Sequence, residues 1–219
     1  MRKSFLQTIL HLFYPQRCNG CKRYGIALCR LCLESLPLAS TLAKPTDFAV
    51  FDYGNKVVRQ SVWQFKYYHD ASAMRILTRA ATPHVAAFIA ETVQRSISQP
   101  VVLVPIPQHI KKTRLRGYNQ SALIATWIAQ HIEHSTVVQL LTKTVPTLSQ
   151  ARTKHKSARM KNVAHTMRAN ASLDSKTIYI VVDDVTTTGA TLNEARRALQ
   201  QNGGKKILSV SIAHGYLSS

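Results

Sequence analysis

At 219 residues and 24.5 kDa, the chain is long enough to bury one sizeable core with a small appendage. Hydrophobic residues make up 45%, which excludes a wholly disordered chain, and no stretch is long and apolar enough to span a bilayer as a helix. The 29 Lys and Arg against 10 Asp and Glu give a formal charge of +19, which points to an anionic partner such as phosphate groups or nucleic acid; a basic protein with no such partner is the competing reading.

The amino terminus, MRKSFLQTILHLFYP, carries Arg2 and Lys3 ahead of an apolar stretch, as a signal peptide does. Gln7 and His11 interrupt that stretch and no small-residue cleavage site follows, so a cytoplasmic location without a membrane partner is expected. Phe5, Ile9, Leu12 and Phe13 recur at helical spacing, which predicts a short amphipathic helix stopped by Pro15.

All four cysteines follow at once, in RCNGCKRYGIALCRLC: Cys18 and Cys21, then Cys29 and Cys32. Two C-x-x-C pairs this close can aim four thiolates at one point, which suits a tetrahedral structural zinc ion, with Asn19-Gly20 permitting the first tight turn. Four cysteines leave no open coordination position for catalysis. Disulfides and a redox C-x-x-C are the rivals. A reducing cytoplasm disfavours the first, and the second needs one pair inside a βαβ unit.

LPLASTLAKPTD (36–47) reads as a linker, dividing residues 1–45 from a main domain over 46–219. Beyond it, FAVFDYG (48–54) predicts a strand, KVVRQSVWQFKYY a helix, and about 71–95 a second helix disturbed by Pro83. VVLVPIP (101–107) is β-branched and continuous, as a buried parallel strand would be, and GYNQSALIATWIAQHI is a helix. VVQLLTK (137–143) predicts one more strand. The polar, basic segment 146–166 is too long to be an ordinary connection and reads as a functional loop or disorder. KTIYIVVDD, a helix from Ala190 to Gln201 and KKILSVSIAHG complete a βαβ unit. The whole predicts an α/β fold with a mainly parallel sheet flanked by helices. Trp63 and Trp127 lie at helical spacing with apolar neighbours and are expected in the core.

Asp183 and Asp184 fall at the carboxyl end of a predicted strand, where open α/β sheets bind ligands. Thr186, Thr187, Thr188, Gly189, Ala190 and Thr191 then turn into a helix, a bend rich in backbone N–H groups and hydroxyls that can cradle one phosphate. Two carboxylates beside a phosphate pocket make sense if the ligand is a ribose 5-phosphate, whose hydroxyls donate to them. Magnesium bridging sugar oxygens and a pyrophosphate would relieve the remaining repulsion. An ordinary threonine-capped turn explains the bend but not the acid pair. The Walker A and Rossmann fingerprints are both missing.

Apolar run, two acids and a Thr-rich Gly bend together resemble the phosphoribosyl-pyrophosphate signature of type I phosphoribosyltransferases. The order CNGCKRYGIALCRLC, QFKYY, VPIPQHIKKTRLRGYNQSALIA, SQARTKHKSARMKN, VVDDVTTTGATL is similar to the ComF family, which includes the GntX proteins. That resemblance covers nearly the whole chain. It implies a type I phosphoribosyltransferase-like domain behind an amino-terminal double zinc-ribbon-like module, with Cys18, Cys21, Cys29 and Cys32 as metal ligands. It further implies a pyrophosphate loop at 107–117 using Arg114, Arg116 and Gly117, a flexible loop using Gln150, Arg159 and Asn162, and a phosphate contact from Lys66. The family's aromatic after Arg-x-x-Asn is absent from AHTM (164–167), and Lys143 stands where an arginine is common.

Two functions follow as expectations. One is a protein that binds phosphoribosyl pyrophosphate with magnesium and serves natural competence, handling incoming single-stranded DNA alongside other competence proteins. The excess charge from Lys111 to Arg168, eleven Lys and Arg against Glu133 alone, would contact the DNA backbone. The alternative is an active phosphoribosyltransferase of nucleotide or base metabolism, with Asp183, Asp184, Arg116 and Lys66 as candidate catalytic groups and an acceptor that no segment names.

Overall fold

Five strands lie side by side, all parallel, in the order β1-β7-β6-β2-β3: β1 (Asp47–Asp52), β2 (Val101–Pro105), β3 (Ser135–Val137), β6 (Ile178–Thr186) and β7 (Lys206–His214). The computed structural model describes residues 16–39, 44–93, 99–108, 113–114, 117–143 and 165–215. The predicted terminal helix, Arg116, and the loop residues Gln150, Arg159 and Asn162 lie outside the described residues.

Alternation along the central strand builds two cores. Ile178, Ile180 and Val182 of β6 face one side, and Tyr179 and Val181 face the other. The first side is covered by α2 (Lys56–Tyr67), α3 (Ser72–Val93) and α4 (Gln120–Ala129). The second is covered by α5 (Ala190–Gln200) through Leu192, Ala195, Ala198 and Leu199. Helix α3 runs on across Pro83, with the Thr78 and Thr82 hydroxyls bonding the carbonyls of Met74 and Thr78 in the preceding turns.

The predicted strand over 137–143 is two strands. β3 ends at Val137 after pairing with β2, whereas β4 (Leu141–Lys143) pairs antiparallel with β5 (Met167–Ala169) in a separate ribbon. The Leu140 amide bonds back to the Val138 carbonyl, and that turn redirects the chain. Periodicity alone does not mark it.

Trp63 is also a correction. It is 48% exposed, because α2 already gives Val58, Ser61, Val62 and Phe65 to the core and Trp63 lies on another side of the helix. Trp127 is half-buried, packed against that core 5.9 Å from the Phe65 ring.

The cysteine segment is fused to the main domain. Cys18, Leu28, Cys29 and Leu36 share one apolar cluster with Val58, Val62 and Phe65. The buried Asn19 amide donates to Ser61 and Gln64 of α2 at 2.9 and 2.8 Å, anchoring the turn between the first two cysteines. Helix α1 (Arg30–Glu34) carries Cys32, and the sequence-predicted linker packs Leu38 in an isolated bridge to Phe51.

Candidate functional site

The strand connections reverse their course between β2 and β6: from β2 the chain moves outward to β3, and from β6 outward to β7. Such a switch point opens a crevice at the carboxyl ends of the strands. Asp183, near the end of β6, faces that crevice from one side. From the other, Asn119 caps α4 by accepting from the Ser121 amide and ties it to β2 by donating to the Ile106 carbonyl at 3.0 Å. Ser121 Oγ then donates to Asp183 Oδ1 at 3.1 Å across the switch point.

The bend after β6 has the backbone its sequence calls for. Gly189 has φ +71°, a left-handed conformation that a side chain would strain, and it opens α5. Thr188 Oγ1 accepts from the Ala190 amide at 3.3 Å. Gly215 N donates to the Thr186 carbonyl at 2.8 Å, and His214 Nε2 lies 3.3 Å from the Thr187 carbonyl, so the end of β7 fastens the bend from behind. Asp183, Thr186, Thr187, Thr188, Gly189, Ala190 and Thr191 line one small concavity of about 10 Å³, together with Val185.

The two acids do different things. Asp184 is buried and turned away from the concavity's lining; its Oδ2 accepts from Lys66 Nζ at 2.9 Å and its Oδ1 from the Val185 amide at 2.7 Å. Burial opposes the charge on Lys66, yet Asp184, with Asp183 and Tyr53 behind it, holds the Lys66 pKa above its ordinary value. Lys66 is thus engaged with a carboxylate. The end of its helix is pinned as well, since the Phe65 carbonyl accepts from Tyr118 Oη at 2.8 Å. Sequence reasoning missed Ser121 and His214. Their only signal is position, one in the first turn of the helix predicted over GYNQSALIATWIAQHI and the other at the carboxyl end of the last strand.

Burial and the neighbouring Asp184 charge push Asp183 up to about 7, against the pull of Lys66 and the bonds from Asp184 N and Ser121. The folded chain therefore keeps a proton that the unfolded chain loses near pH 4, so stability falls as pH rises from about 4 to 7. The full loss is on the order of 2–4 kcal/mol. Asp183→Asn keeps an Oδ1 acceptor for both donors and has nothing to ionise. The expected result is a higher melting temperature than wild type at pH 8 and a flatter profile between pH 4 and 7, read by calorimetry; matching profiles would exclude the shift.

The four cysteine Sγ atoms all lie within 4.8 Å of one another, and Cys21 and Cys29 are 3.7 Å apart. A tetrahedral zinc with Zn–S bonds of about 2.3 Å separates its sulfurs by roughly 3.8 Å, so the donor set fits that ion. Burial works against the Cys18 thiolate, but amides of Cys29, Cys21 and Gly20 bring it down to about 6. Side-chain interaction with Cys29 pushes Cys32 up to about 12. A Cβ on Gly20 would lie 2.5 Å from Cys32 Sγ, so only glycine lets the turn approach the cluster.

Arg114 is exposed, and Gly117, at φ +73°, has open space where a Cβ would sit. Among the described residues no helix is long and apolar enough to cross a membrane.

No protein-family model matches the chain. Proteins named DNA utilization protein YhgH from Salmonella typhimurium and Salmonella typhi are each 26% identical over 201 residues, spanning 87% of this chain and 85% of theirs. Competence protein F of Haemophilus influenzae is 21% identical over 218 residues, 90% of each chain. The chain is similar to ComF-like proteins along nearly its whole length. Among solved structures, a hypoxanthine phosphoribosyltransferase from Staphylococcus aureus overlaps 64% of both chains at TM-score 0.41 and 13% identity. A purine phosphoribosyltransferase from Pyrococcus horikoshii overlaps 64% of this chain and 80% of its own at TM-score 0.37 and 15% identity. The expected ComF-like arrangement, a mainly parallel sheet flanked by helices behind a four-cysteine cluster, is the arrangement present.

Proposed function

We propose that this protein binds phosphoribosyl pyrophosphate, or a related phosphosugar, at the bend after β6, and that it serves the handling of single-stranded DNA during competence. The observation that carries the reading is the shared concavity of Asp183 and the Thr186–Thr191 bend at the sheet's switch point. The 5-phosphate takes the amides and hydroxyls of the bend, where the start of α5 adds positive potential. The ribose hydroxyls donate to Asp183. Magnesium arriving with the pyrophosphate supplies positive charge between the ligand and that carboxylate, which lets Asp183 bind ionised. Lys66 then has two anions to choose between, Asp184 and the pyrophosphate. The DNA role is supported by the names of the relatives, DNA utilization protein and competence protein F. A structural zinc at Cys18, Cys21, Cys29 and Cys32 completes the fold.

Transfer of the phosphoribosyl group to an acceptor is the second reading. It is favoured by a cavity of about 490 Å³ that joins Pro107, Gln108 and Thr113 of the expected pyrophosphate loop to Tyr118, Thr142 and Lys143. A ribosyl-cation transition state needs positioning and charge neutralisation, and no protein nucleophile.

Saturating magnesium and phosphoribosyl pyrophosphate are expected to raise the melting temperature. At a hundred times the dissociation constant, linkage gives about 2.7 kcal/mol, or roughly 5–10 °C for a chain of this size. No shift in wild type contradicts the pocket.

A further inference from the structure

The outward side of α2 is a mixed basic and aromatic stripe. Lys56, Arg59, Trp63 and Tyr67 are all exposed and recur at intervals of three and four residues, so they share one face of the helix. Three of the eight exposed large hydrophobic residues among the described residues fall between 63 and 68: Trp63, Tyr67 and Tyr68, each about half or more exposed. They form one cluster. The Trp63 ring centroid lies 4.5 Å from Tyr68 and 6.3 Å from Tyr67, tilted at 46° and 51°.

An aromatic cluster in water costs free energy unless something covers it. Its surroundings say what kind of partner that is. Helix α2 carries no acidic residue. The acids flanking it are engaged locally, Asp52 with the Gly54 amide and Asp70 with the Ser72 amide. The cysteine module adds cations beside the same helix: Lys22 reaches Gln60 at 3.4 Å, and Arg17, held 4.4 Å over the Tyr24 ring, lines a cavity with Lys22, Gln60, Gln64 and one acid, Asp70. Flat π surfaces on a helix with no acid of its own, flanked by more cations than carboxylates, suit a strand with unpaired bases and a phosphate backbone.

We propose that the α2 face formed by Trp63, Tyr67 and Tyr68 is a base-stacking platform for single-stranded DNA, with Arg59, Lys56 and Lys22 meeting the adjacent phosphates. This rests on the DNA-handling part of the reading above and is independent of the sugar-phosphate pocket. It places the strand on the outer face of the same helix that sends Lys66 inward to Asp184. The exposed, basic and aromatic side of α2 thus carries the DNA role, in addition to the basic segment from Lys111 to Arg168.

Trp63 is its own reporter, because Trp127 is the only other tryptophan. In a Trp127→Phe protein, titration with an oligothymidylate of about twelve nucleotides is expected to quench the remaining fluorescence saturably. In the wild-type background, Trp63→Ala is expected to weaken binding of the same strand, by anisotropy, at least about tenfold. Arg59→Ala with Lys56→Ala is expected to lower the slope of log affinity against log salt by about 1.4, two phosphates' worth for a single strand. Both variants alter exposed side chains and should keep the wild-type melting temperature and its shift with magnesium and phosphoribosyl pyrophosphate. Binding without quenching, affinity unchanged by Trp63→Ala, equal affinity for duplex, or a clear preference for oligouridylate over oligothymidylate would each overturn the proposal. No binding at 50 mM salt would overturn it too, leaving the face to a protein partner. Loss of the sugar-phosphate shift alone would sink the pocket and leave this platform standing.

Discussion

Replacing Lys66 with methionine is expected to lower the stability of the ligand-free protein by about 3 kcal/mol, or roughly 6–12 °C in melting temperature. The methionine fills most of the space but leaves Asp184 buried with no cation beside it and Asp183 next in sequence. Lys66 also helps hold the Asp183 pKa down, so its loss lets burial and the Asp184 charge push that pKa further up. The folded chain then keeps the Asp183 proton to higher pH than wild type does, and the extra destabilisation appears as pH rises above about 7. The loss should therefore be larger at pH 8 than at pH 5.5. Adding Asp184→Asn removes the stranded charge and should recover most of it, which makes the pair a double-mutant cycle readable by urea titration. Equal losses in the single and double variants would mean that Lys66 contributes packing alone.

Loss of the metal site is expected to be larger still. The binding free energy of a four-cysteine zinc site is on the order of 10 kcal/mol at neutral pH and counts as folding free energy. Here the site is continuous with the main core: Cys18 and Cys29 pack with Val58, Val62 and Phe65, and the Asn19 turn is bonded to Ser61 and Gln64. Unravelling residues 16–39 would therefore uncover one side of α2, the helix that carries both Lys66 and the aromatic stripe. Reduced wild-type protein should contain one metal per chain by elemental analysis. Cys29→Ser, or a strong chelator, should expose the amides of 16–39 to hydrogen exchange and lower the melting temperature by more than the Lys66 variant does. Far less than one metal per chain, or a chelator without effect on exchange, would rule the zinc site out.

Much of this molecule is legible in one dimension because its strongest signals are local. The run IYIVVDD is β-branched and ends in charge, TTTGAT needs a left-handed glycine, and two C-x-x-C pairs lie within fifteen residues. Each is written in neighbouring residues, and the structure places the corresponding strand, bend and sulfur cluster there. What sequence leaves hidden depends on packing between distant segments. Nothing near Lys66 says that it will meet Asp184 and not a phosphate, since the partner lies more than a hundred residues on, at the end of β6. Nothing near Ser121 says that its hydroxyl will reach Asp183. Trp63 reads as core because it is large and apolar, yet the three-dimensional arrangement spends the other side of α2 on the core. The strand over 137–143 is split because β2 recruits its first part and β5 its second, a competition settled only once those strands are in place.

Everything functional turns on whether the bend after β6 grips a sugar phosphate through Asp183, and calorimetric titration with magnesium phosphoribosyl pyrophosphate measures that directly. The account predicts one saturable site per chain in wild type and affinity at least about tenfold weaker in Asp183→Asn, a loss of about 1.4 kcal/mol or more. No saturable heat in wild type, or equal affinity in the two proteins, would contradict it.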